Sequence, residues 1–104
     1  MEIALYHKHY DKQHLEKVKT EMQKRGAPTI RCIWSPAYNL WMAVEGCHRL
    51  RAAHDLGITP IVKDISEQKT VTVQCDEIDT VRRSIAELAE ELTDDVWKAD
   101  ILEF

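Results

Sequence analysis

The sequence predicts a compact α+β domain of mixed α/β order, with a small mixed sheet, one strand–glycine–helix junction and helices at its C-terminal end. Three observations predict it. Runs of β-branched residues with period two alternate with runs of helical period. A length of 104 residues suffices for one core and not for two. Apolar residues make up 44% and charged residues 31%, a globular balance that excludes a disordered tail, a collagen-like chain and a coiled-coil rod. Residues 1–104 therefore read as a single domain.

Glu2 to Tyr6 is a short strand. Asp11 is an N-cap for a helix to about Arg25, with Leu15, Val18 and Met22 on one face and Gly26 as its stop. Pro28 forbids continuation, and Thr29 to Trp34 is β-rich. Ser35-Pro36-Ala37-Tyr38-Asn39 forms a turn into a second strand, Leu40 to Val44. Gly46 ends that strand, and Cys47 to Leu56 is a helix stopped by Gly57. Ile61 to Ile65 and Thr70 to Val73 are further strands, separated by a turn at Ser66 to Lys69. Asp76 is expected to cap a long helix carrying Ile78, Val81, Ile85, Leu88 and Leu92. Thr93 or Asp94 is expected to start a last helix with Val96, Trp97, Ile101 and Phe104, so that about 76–104 forms a helical extension.

Composition narrows the function classes. No stretch approaches the length of a membrane-spanning helix, and Met1 to Leu5 lacks the basic and apolar regions of a signal peptide, so a soluble, cytoplasmic chain without membrane contact is expected. Cys32, Cys47 and Cys75 show no C-x-x-C spacing, which points to free thiols rather than a disulfide framework or a zinc ribbon. The net charge of −4 conceals a split. Residues 1–63 hold ten Lys and Arg against six Asp and Glu, whereas 64–104 hold four against twelve. The basic half can meet phosphates, but so acidic a chain is expected to bind duplex DNA weakly or not at all.

The segment with most chemistry is Val44-Glu45-Gly46-Cys47-His48-Arg49-Leu50-Arg51-Ala52-Ala53. Gly46 lets the backbone turn sharply and a ligand approach closely. The first N–H groups of the helix lack intrahelical partners, and the helix dipole adds positive potential, which together make an anion site. His48 and Arg49 add donors, and the Arg49 guanidinium can grip a phosphate with two hydrogen bonds. The residue types alone therefore read as a phosphate-binding junction.

The same residues resemble the ParB/sulfiredoxin superfamily, in the form of a small stand-alone ParB-like N-terminal domain. ParB-like members carry Gly-Glu-Arg-Arg-x-Arg-Ala-Ala here; Gly46, Arg49, Arg51, Ala52 and Ala53 fall in register, while Cys47 and His48 depart. Sulfiredoxins carry Gly-Gly-Cys-His-Arg, of which Gly46 to Arg49 match the last four and Glu45 replaces the first glycine. The likeness covers about 11–65, and the residues beyond carry none. It implies a nucleotide site in which Gly46, the Cys47 backbone, His48 and Arg49 hold the phosphates of ATP, ADP or CTP, with Mg²⁺ and with Arg51 and Arg31 as additional candidates. Hydrolysis or phosphoryl transfer is then open, as an NTPase or phosphotransferase.

Each sharp reading has a plainer competitor. Cys47 is either a sulfiredoxin-type nucleophile in an ATP-dependent sulfinic-acid reductase or a small residue where only the backbone matters. Glu45 is either a general base or a ligand of nucleotide-bound Mg²⁺, or a strand-end carboxylate paired with Arg49 or Arg31. His7-x-His9 with His14 offers imidazoles but no fourth zinc ligand, which favours surface histidines and no protein-held metal. Trp34, Trp41 and Tyr38 either stack a base or pack the core rim. The acidic run Glu87 to Asp95 overlies an apolar stripe that packs on its own domain or, if exposed, on a partner helix or second copy. A different class of reading is a non-catalytic plasmid- or phage-type regulatory module that contacts DNA or a DNA-bound protein.

Overall fold

In a computed structural model that describes residues 1–74 and 79–104, seven strands and three α-helices follow in the order β1 (Glu2–Ala4), α1 (Lys12–Arg25), β2 (Thr29–Ser35), β3 (Leu40–Ala43), α2 (Cys47–Leu56), β4 (Ile61–Asp64), β5 (Thr70–Gln74), β6 (Thr80–Ser84), α3 (Ile85–Asp95) and β7 (Ile101–Glu103), with one 3₁₀ turn at Val96–Lys98. The predicted starts and stops of α1 and α2 hold. The Asp11 carboxylate accepts the His14 N–H at 2.9 Å, and the Gly26 N–H closes α1 onto the Met22 carbonyl at 2.8 Å. The predicted turn joins β2 to β3: the Asn39 N–H reaches the Ser35 carbonyl at 2.8 Å, and the Tyr38 N–H reaches the Ser35 hydroxyl at 3.2 Å.

Five strands form one mixed sheet in the order β4-β2-β3-β1-β7, and β5 with β6 forms a separate antiparallel hairpin. β2 runs antiparallel to β3 and parallel to β4, and β1 runs parallel to β3 and antiparallel to β7. Alternation divides the sheet residues between two cores. Ile3, Ile30, Cys32 and Ala43 pack with Leu50 beneath α2, against which α1 lays Leu15 and Met22. Ala4, Ile33, Met42 and Val44 pack on the opposite side with Val71 and with Ile85, Leu88 and Leu92 of α3. The result is three layers: α1 with α2, the sheet, and the hairpin with α3. No helix among the described residues is long and apolar enough to cross a membrane.

The C-terminal part differs from the helical extension expected over 76–104. Val81 lies in β6 rather than on a helix, because Thr80 to Ser84 pair with β5 from Thr80 opposite Gln74 to Ser84 opposite Thr70. Helix α3 starts only after Ser84, whose hydroxyl accepts the Glu87 N–H. The expected cap Asp76, with Ile78, lies outside the described residues. The last predicted helix is replaced by the 3₁₀ turn and β7, since the free edge of β1 takes up Ile101 opposite Ala4 and Leu102 opposite Ile3. The apolar residues of α3, Ile85, Leu88 and Leu92, are buried in its own domain.

Candidate phosphate-binding junction

The backbone between β3 and α2 turns at Gly46, with φ 76° and ψ 31°. A Cβ there would lie 2.6 Å from Ile30 Cδ1, in the packed core, and 3.2 Å from Arg49 Nη2. Left-handed backbone and absent space both demand glycine. Asp11 caps α1 and Ser84 caps α3, whereas the N-cap residue of α2 is Gly46, which has no side chain to cap it. The start of α2 lines a cleft of about 920 Å³ bounded by Tyr6 and His7 on one side, Arg25 at the end of α1, and Arg83 of β6. Helix-start N–H groups that their own N-cap residue leaves unserved, at the positive end of the helix dipole, are suited to an anion in that cleft.

Arg49 stands at the rim. Its Nη1 donates to the Thr29 carbonyl at 3.2 Å, and its Nη2 lies 3.7 Å from Glu45 Oε1. Its side chain remains 41% exposed, so the guanidinium is within reach of a ligand in the cleft.

Glu45 is engaged elsewhere. Arg31 Nε donates to Oε2 at 2.8 Å, Arg31 Nη2 to Oε1 at 3.0 Å, and the Arg31 N–H to Oε2 at 3.3 Å. Burial pushes this carboxyl up, but the Arg31 hydrogen bonds and the charges of Arg31 and Arg49 outweigh it and hold it below the usual glutamate range. A carboxylate so held is a poor general base. It clips the bend before Gly46 onto β2, and Arg31 is spent on it.

Cys47, His48 and Arg51 face the chain leading into α1. Cys47 is 8% exposed, and its Sγ accepts the His7 N–H at 3.3 Å. His48 Nε2 accepts the Asp11 N–H at 3.0 Å. Arg51 Nη2 donates to Asp100 Oδ2 at 2.8 Å and to the Lys8 carbonyl at 3.2 Å, so this arginine points away from the cleft. Cys32 is sealed in the core, where burial, with the charges of Glu45 and Asp64, pushes its thiol up to about 12.

Comparison with family models, with curated proteins and with solved structures found no match.

Gly46, Cys47, His48 and Arg49 line the cleft, with His48 Nε2 taken up by the Asp11 N–H, while Glu45 pairs with Arg31 and Arg51 lies outside the lining. Trp34 and Trp41 stack edge to face with ring centroids 5.0 Å apart, away from the cleft lining. Among the described residues, no three His, Cys, Asp or Glu side chains are placed to hold a metal ion. Sequence reasoning missed Arg25, Tyr6 and Arg83 as cleft residues. Arg25 carried a local signal, being a basic residue in the last helical turn before Gly26, but its place opposite α2 depends on how the two helices pack.

Proposed function

We propose that the chain is a ParB/sulfiredoxin-like domain that binds a nucleoside triphosphate or diphosphate (ATP, ADP or CTP) through the start of α2. The observation that carries this reading is the left-handed Gly46 opening an uncapped helix onto a cleft, with the exposed Arg49 at its rim. Phosphate oxygens would take the helix-start N–H groups and the free Arg49 donors, an arrangement in which backbone and side chain both favour negative charge. Mg²⁺ would arrive with the phosphates, because the Glu45 carboxylate is already neutralised by the Arg31 guanidinium. The same pairing favours binding over hydrolysis, since the carboxylate that adjoins Gly46 is held by Arg31. The burial of Cys47 beneath the His7 backbone likewise supports a packing role for its side chain rather than a nucleophilic one.

Thermal unfolding with a panel of nucleotides and Mg²⁺ tests the reading. Ligand at about a hundredfold its Kd adds about 2.7 kcal/mol, which for a domain of this size raises Tm by roughly ten degrees or more. Arg49→Ala is expected to leave the Tm of the unliganded protein nearly unchanged and to remove most of that rise. If the unliganded variant unfolds instead, Arg49 is a structural partner of Thr29 and Glu45, and the assignment loses its main side chain.

A further inference from the structure

Residues 7–11 form a strap without regular secondary structure that crosses the start of α2. Leu5 anchors its approach, donating its N–H to the Asp100 carbonyl at 2.8 Å. Across the strap, the His7 N–H meets Cys47 Sγ, Arg51 Nη2 reaches the His7 and Lys8 carbonyls at 3.4 and 3.2 Å, and the Arg51 guanidinium lies 4.7 Å from the centre of the Tyr10 ring. The far end is held by the Asp11 N–H on His48 Nε2 at 3.0 Å. Of these contacts, only the last depends on a group that titrates near neutrality, because an imidazole nitrogen accepts a hydrogen bond only when it carries no proton.

We propose that His48 is a proton-operated latch: neutral, it holds the strap across Cys47 and one wall of the cleft, and protonated, it turns an N–H toward the Asp11 N–H and lets the strap go. The groups facing it are Asp11 and His14 from the start of α1, His9 from the strap and Arg51 from its own helix. His14 meets it edge to face with ring centroids 4.5 Å apart. Burial disfavours the charged imidazole, the His14, Arg51 and His9 charges add to that, and the Asp11 carboxylate opposes it, leaving His48 below the usual histidine value. The latch is therefore closed at pH 7 and opens on the acid side of about pH 6.5. The Asp11 carboxyl does not titrate in that window, because the His14 N–H holds it below the usual aspartate range. The latch works the same way whatever ligand the cleft takes.

Two measurements on the full chain test it. In the first, Cys47 is labelled with dithiodipyridine from about pH 7.5 to about pH 5, followed peptide by peptide and normalised to glutathione. The wild type should label several-fold faster at the acid end. His48→Gln, whose amide oxygen can take the place of Nε2 without titrating, should stay flat. A flat wild-type profile, or an equal rise in both proteins, overturns the proposal. In the second, nitrogen-15 spectra of the wild-type imidazole at neutral pH should show the proton on Nδ1 and Nε2 bare; a proton on Nε2 overturns it without recourse to any variant.

Discussion

At the scale of single residues, Glu45 and Gly46 divide the work of the junction between charge and shape. Gly46 supplies a backbone angle and a space that no other residue supplies, whereas Glu45 supplies a clip. The Arg31–Glu45 pair is about 30% exposed on each side, and its two side-chain hydrogen bonds are joined by one from the Arg31 backbone. Glu45→Gln should therefore cost about 1–2 kcal/mol at pH 7, the range for losing a charged hydrogen bond at a partly buried site. The sign of the pH dependence follows from the depressed carboxyl. Its contribution is complete above the unfolded-state value of about 4.3 and is lost as pH falls through the lower folded value. Urea unfolding of both proteins should show the gap closing below about pH 4; an unchanged gap would mean that Glu45 acts through packing alone.

At the scale of elements, each helix start is served differently. Ser84 and Glu87 form the S-x-x-E pattern of a capping box, and the serine hydroxyl takes the Glu87 N–H. Ser84→Ala should lower unfolding stability by about 1 kcal/mol, whereas Ser84→Asp should retain most of it; chemical denaturation that finds the two variants equal would remove the cap from the account. The apolar spacing from Ile78 through Leu92 extended the expected helix backward over β6, past the true start at Ser84. Tertiary pairing overrode that spacing, since Thr80 to Ser84 found partners in β5. α1 and α2 were legible because their signals are local: Asp11 and Gly26 bracket one, Gly46 and Gly57 the other. β7 was not, because its reason for being extended is the open edge of β1, about a hundred residues earlier in the chain.

At the scale of the whole molecule, the charge split along the sequence becomes a split across the sheet. Lys12, Lys17, Lys19, Lys24 and Arg25 lie on α1, and Glu87, Glu90, Glu91, Asp94 and Asp95 lie on α3 in the opposite layer. The junction was legible in the sequence as a strand, a glycine and a helix with His48 and Arg49 at its start. Its wiring was not: Glu45 meets Arg31 across 14 positions and His48 meets Asp11 across 37, separations at which only the assembled fold makes neighbours. The proposed role of the α2 start is to hold the phosphates of a nucleotide. Backbone amide spectra recorded during titration with ATP and Mg²⁺ read that role residue by residue. Saturable shifts concentrated on the N–H groups of Cys47, His48 and Arg49 are predicted. Amides there that stay unmoved at millimolar nucleotide, or shifts confined to another part of the surface, would contradict it.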